Sequence, residues 1–164
     1  MADRSQFEEL ARQLSAIGTV KRELARHLPG DCAPGSAAVL ALLGKFGEMR
    51  LSRLAELMGI DLSVTSRHVA HVAERGWIER YPDPQDGRSR LLRVSPAGQE
   101  LLTEMSARTA EVLQTYLHDW TDDDVAQLVT LFARLRASFG DCRAHGARAT
   151  AHAVAETDAT QERL

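Results

Sequence analysis

Apolar residues return at three- and four-residue steps near the start of the chain, at Phe7, Leu10, Leu14, Ile17, Leu24 and Leu28. That recurrence matches the helical repeat and predicts one long amphipathic helix from Ser5 to Leu28, stopped by Pro29 and Gly30. The next apolar group, Val39, Leu40, Leu42 and Leu43, is hydrophobic on most sides of a short helix, which predicts burial; Ser36 stands where a cap is needed. Ser52 then precedes Leu54, Ala55, Leu57 and Met58, and Gly59 ends that run. Asp61 is placed to cap a further helix that reaches Gly76. Two helices joined by a tight turn within so few residues predict a helix-turn-helix.

The pattern changes after Gly76. Trp77 to Tyr81 and Leu91 to Val94 are short enough to be strands, and Pro82, Pro84 and Gly87 between them are turn residues. The loop Asp83-Pro84-Gln85-Asp86-Gly87-Arg88-Ser89-Arg90 thereby becomes the tip of a hairpin wing. Ser95-Pro96 supplies a cap and a first-position proline for another long helix, with Leu101, Leu102, Met105, Val112, Leu113, Tyr116 and Leu117 in its stripe. Thr121 with Asp124 three residues on resembles a capping box and opens a last helix containing Val125, Leu128, Val129, Phe132, Leu135 and Phe139. From Ala144 large apolar residues are few, so residues 144–164 read as a frayed helix or a disordered tail.

The expected architecture is mainly α with a small β wing. Residues 1–143 form one domain, with a winged helix-turn-helix at about 34–95 and dimerisation helices at about 5–28 and 96–143. The outer helices carry more apolar surface than the module between them can cover. A second copy of the chain would cover it, and Phe7, Leu10, Leu14, Ile17, Phe132, Leu135 and Phe139 are the residues expected to meet there. A monomeric helical bundle is the simpler alternative.

Composition narrows the function classes. At 164 residues and 44% hydrophobic content the chain supports one core. No stretch reaches the roughly twenty apolar residues of a membrane span, and Asp3, Glu8 and Glu9 do not fit a signal peptide, so a cytoplasmic protein is expected. With 5% aromatic residues, stacking recognition of single strands has little to work with. Glycine-rich phosphate loops, GxSxG and HExxH are absent, so no enzyme and no cofactor is indicated. The net charge is −3, but residues 50 to 95 hold eight arginines against six acids, leaving twelve basic against seventeen acidic residues elsewhere. A basic middle between acidic flanks fits a module that faces nucleic acid.

On a helical wheel Leu62, Thr65, Val69, Val72 and Ala73 share one side of the helix after Asp61, the expected core side. The other side carries Ser63, Val64, Arg67, Ala70 and His71, with Ser66 and His68 at the margins. Arg67 is suited to the O6 and N7 atoms of guanine, and Val64 or Ala70 to a thymine methyl. In the wing, Asp86 is two residues from Arg88, the pattern of a carboxylate orienting a guanidinium for the minor groove; Arg90 beside it is suited to phosphate. The DNA-facing set is therefore Ser63, Val64, Ser66, Arg67, His71, Asp86, Arg88 and Arg90. The ordinary alternatives are a solvated helix face and a weak surface ion pair. His68 and His71 alone do not make a metal site, which needs three or more protein ligands, and Cys32 and Cys142 have no CxxC spacing.

Leu54-Ala55-Glu56-Leu57-Met58-Gly59-Ile60, Ser66-Arg67-His68-Val69, Glu74-Arg75-Gly76-Trp77-Ile78-Glu79-Arg80, Asp83-Pro84 with Asp86-Gly87-Arg88, and Ser95-Pro96-Ala97-Gly98 together resemble the multiple-antibiotic-resistance regulator (MarR) family. The likeness covers about residues 5 to 142 and is most specific between 36 and 100. It implies a homodimeric winged regulator of transcription, usually a repressor, on a pseudo-palindromic double-stranded site. The helix from Leu62 enters the major groove and Arg88, partnered by Asp86, the minor groove; a small-molecule effector, often phenolic, relieves repression. Peroxide-sensing relatives place a cysteine near the start of the first helix with tyrosines nearby. Here Cys32 follows that helix and Tyr81 and Tyr116 are remote, so an inert thiol is expected. A redox- or metal-responsive regulator, the latter through His27, Cys32 and His118, and a helical adaptor that binds protein remain alternatives.

Overall fold

Asp3 starts the first helix by accepting the Gln6 amide at 3.0 Å, while the Gln6 side chain returns to the Asp3 amide at 3.0 Å. The computed structural model describes residues 3–30 and 32–139. Its elements run α1 (Arg4–Arg26), α2 (Pro34–Phe46), β1 (Met49–Arg50), α3 (Leu51–Met58), α4 (Leu62–Glu74), β2 (Ile78–Asp83), β3 (Asp86–Val94), α5 (Pro96–Tyr116) and α6 (Asp122–Phe139). The chain divides into two units, Met1–Tyr116 and Leu117–Leu164. Cys142 and the expected tail at 144–164 lie outside the described residues.

The first unit has one core. Val39, Leu40 and Leu43 of α2, Leu54 of α3, Val69 and Val72 of α4, and Met49, Ile78 and Leu92 of the sheet are buried together, with Leu101 and Leu102 of α5 packed against them. The sheet order is β1-β3-β2, antiparallel throughout, with Met49 opposite Leu92 and Ile78 opposite Val94.

Three boundaries differ from the sequence expectation. Ser36 does not cap α2: the helix begins at Pro34, whose missing N–H costs nothing in a first turn, and Ser36 lies inside it, 1% exposed. Ser52 is likewise within α3, which starts at Leu51. The wing strands extend past Pro82 and Gly87, to Asp83 and from Asp86, so only Pro84 and Gln85 form the tip. Because β2 is an edge strand, Pro82 loses no essential ladder bond there, and the pairing irregularity falls at Pro82/Asp83. The two-residue strand β1 had no signal in the hydrophobic pattern.

In the second unit the capping box at the start of α6 forms as expected. Thr121 Oγ1 accepts the Asp124 amide at 3.2 Å, and Asp124 Oδ2 accepts the Thr121 amide at 3.0 Å.

Candidate nucleic-acid interface

Helix α4 starts directly after Asp61, as expected, and ends at Glu74, two residues short of Gly76; Thr65, Val69 and Val72 turn inward as expected. Ser63, Ser66 and Arg67 face solvent, whereas Val64, His68, Ala70 and His71 are half-buried. The His71 ring meets Trp77 edge-on, with 6.3 Å between ring centroids, which directs it toward the start of β2. Leu62 is a correction: although it lies at the angle of the core side it is 53% exposed, because along the helix axis the core starts only at Thr65. Asp61 occupies the cap position without a side-chain hydrogen bond.

The end of α4 is held without slack. Gly76 adopts the left-handed conformation, φ 72°, and the Trp77 amide donates to the Val72 carbonyl at 3.0 Å, which satisfies the last turn. The Ser95 amide donates to the Trp77 carbonyl at 3.0 Å, and the Ser95 hydroxyl donates to the Gly76 carbonyl at 2.6 Å. That same hydroxyl accepts the Gly98 amide at 3.1 Å, capping α5. Gly98 sits so close to this turn that a Cβ would overlap the Trp77 carbonyl oxygen. At the middle of α4, the His68 ring fills the space beside Gly35 of α2 that a Cβ would need. Glycine at 35 and 98 therefore allows α2 and α5 to approach the helix-turn-helix closely.

Arg50 anchors the wing. Its guanidinium contacts Asp83 Oδ2 through Nε at 2.8 Å and Nη2 at 2.6 Å, and Asp86 Oδ2 through Nη2 at 3.8 Å. Asp83 also accepts the Gln85 amide at 2.9 Å; that bond, followed by the Arg50 contact, holds its carboxyl below the ordinary aspartate value. Asp86 accepts the Ser89 hydroxyl at 2.7 Å and the Arg88 amide at 3.2 Å, which lower its pKa in that order. The expectation that Asp86 orients the Arg88 guanidinium is thus corrected, because the carboxylate binds the Arg88 backbone and shapes the turn instead. Arg50 escaped sequence reasoning because nothing local links it to a carboxylate 33 positions away.

At the base of the wing Arg93 pairs with Glu79 at 2.7 Å and lies over the Tyr81 ring, and the Tyr81 hydroxyl donates to Glu48. By contrast Arg67, Arg88 and Arg90 are exposed, and no ion pair engages them among the described residues. These three arginines, together with Arg80 of β2, which is likewise exposed and without an ion pair among the described residues, are left available for an anionic partner.

The expected dimer residues retain apolar exposure: Phe7, Leu10, Phe132 and Phe139 are exposed, and Leu14, Ile17 and Leu135 half-buried. Cys32 is buried and burial raises its thiol pKa, which disfavours the reactive thiolate. Among the described residues no three His, Cys, Asp or Glu side chains are grouped as a metal ion would require. No described helix is long and apolar enough to cross a membrane.

Helices α3 and α4 with the β2–β3 hairpin define a winged helix-turn-helix. The family model for MarR matches residues 34–89. A HTH-type transcriptional regulator from Bacillus subtilis, YxaD, is 30% identical over 112 residues, 68% of this chain and 78% of the relative. The multiple antibiotic resistance protein MarR of Salmonella typhimurium is 30% identical over 108 residues, 65% of this chain and 75% of that protein. The fold is shared with a mutant MarR from E. coli solved in complex with operator DNA, with TM-score 0.60, 24% identity, and coverage of 82% of this chain and 99% of that one. The chain belongs to the MarR family.

Proposed function

We propose that this protein is a homodimeric repressor that binds a pseudo-palindromic double-stranded DNA site. In this reading α4 enters the major groove and the wing lies in the minor groove, with two α4 helices of a dimer about one turn of DNA apart. The observation that carries the reading is the division of labour among the arginines. Arg50 and Arg93 are tied to Asp83 and Glu79, whereas Arg67, Arg88 and Arg90 remain exposed without ion pairs among the described residues. Arginine on the exposed side of a helix can read guanine, and arginine on a narrow hairpin can enter a narrow minor groove. The operator complex of the E. coli relative supports the same partner. Exposed Phe7, Leu10 and Phe139 support pairing of two copies through the outer helices.

A small-molecule effector fits this arrangement if it binds one spacing of the two α4 helices better than the other, since only differential affinity shifts such an equilibrium.

Selection of bound duplexes from a random pool, followed by titration at several salt concentrations, tests the proposal. An inverted repeat with half-sites one helical turn apart and a steep loss of affinity with salt are expected. No duplex retained at low salt would instead point to a protein-binding adaptor, and a monomer by sedimentation would remove the pairing.

A further inference from the structure

Leu62 is the first residue of α4, and its side chain has no place in the core. The buried cluster and the half-buried residues packed against it do not include Leu62, which is 53% exposed, while Thr65 one turn on is fully buried. Residues four apart on a helix are neighbours, so Leu62 lies above Ser66 and Ser63 above Arg67, and all four are exposed. A large exposed apolar side chain thus lies along one edge of the solvent side of α4 with the Ser66 hydroxyl, while Ser63 and Arg67, which has no ion-pair partner among the described residues, form the adjoining line.

We propose that Leu62 is a specificity-determining residue that packs on the C5-methyl group of a thymine in the major groove. The assignment rests on the DNA-reading role given above to α4. Leucine can neither donate nor accept a hydrogen bond, and the thymine methyl is the apolar feature that base pairs present in that groove. The first turn is also the part of a recognition helix whose residues contact base edges. Val64 and Ala70, the other apolar residues near this side, are half-buried and offer less reach. The small side chains of Ser63 and Ser66 leave room for the leucine to approach the groove floor.

The test uses the full chain and a duplex recovered from the random pool, with each thymine replaced singly by deoxyuridine, which removes the methyl group alone. For the natural protein one position per half-site is expected to lose about fourfold in affinity, the factor that burying one carbon group supplies. Leu62→Ala should lose a similar factor on the unmodified duplex and be indifferent to deoxyuridine at that position. Leu62→Met, which keeps the apolar reach, should retain the sensitivity. Additive losses at every thymine would overturn the assignment, as would a weaker dimer for Leu62→Ala with an unaltered deoxyuridine pattern. If the natural protein selects no sequence at all, it is the DNA-reading role that fails; a selected sequence without coupling to Leu62 defeats this inference alone.

Discussion

Arg50 and Asp83, 33 residues apart, join the strand that precedes α3 to the tip of the wing through contacts of 2.8 and 2.6 Å. The hairpin is thereby held against the start of the helix-turn-helix rather than left to its own turn. Asp83→Asn removes the ion pair while keeping a side-chain acceptor for the Gln85 amide. DNA affinity should fall on the order of tenfold, the scale of one charge-assisted hydrogen bond, with little change in helix content. Parallel duplex titration and far-UV circular dichroism check this, and unaltered affinity would mean that the wing needs no tie.

The same carboxylates predict an acid response. Asp83 and Asp86 have folded pKa values held below the ordinary 3.8, so the unfolded chain binds protons more readily than the native wing. Their contribution is complete above the ordinary value and is lost as pH falls through the lowered folded values. Amides of the wing should lose hydrogen-exchange protection in that acid window. Asp83→Asn should flatten the dependence, and identical acid profiles for the two proteins would contradict it.

Gly98 and Gly87 offer a matched pair. A methyl at 98 meets the Trp77 carbonyl, whereas at 87 nothing lies within 4 Å and the backbone is not left-handed. Gly98→Ala should destabilise by about 1 to 3 kcal/mol through overpacking, and Gly87→Ala by less than about 0.5 kcal/mol. Urea unfolding of both variants decides the point.

The packing of His68 against Gly35 predicts a non-additive pair. Gly35→Ala should cost about 1 to 3 kcal/mol by forcing the imidazole aside, and His68→Ala in the same chain should restore much of it. Independent costs in a double-mutant cycle would show that the ring moves away freely.

Arg67 and Arg88 should differ in kind. Arg67→Ala is expected to relax base preference by about 1 to 3 kcal/mol at one position of each half-site. Arg88→Ala should weaken binding more evenly across sequences and reduce the salt dependence. Matched and scrambled duplexes separate the two effects, and unchanged affinity in both variants would remove the proposed reading surface.

Features that depend on near neighbours were legible in the sequence. The Thr121–Asp124 box and the Ser95 cap follow from residues three apart, and the structure has both; the start of α4 after Asp61 was also legible, although Asp61 makes no capping hydrogen bond. Ser36 misled because a serine ahead of apolar residues looks like a cap, while Pro34 marks the actual start. Leu62 misled because a wheel assigns sides to a helix but does not say where the core ends along its axis. The role of Asp86 was hidden because spacing in sequence does not distinguish a guanidinium from the amide of the same arginine. Arg50 belongs to the contacts that only the folded chain brings together.

Ser95 leaves the helix-turn-helix no free play against α5, since one hydroxyl grips the turn after α4 and the first turn of the long helix at once. If the proposed reading holds, a tilt of that long rod would bear directly on the end of α4, as a crank on its shaft, and a small angular change far along it would alter the aim of the helix.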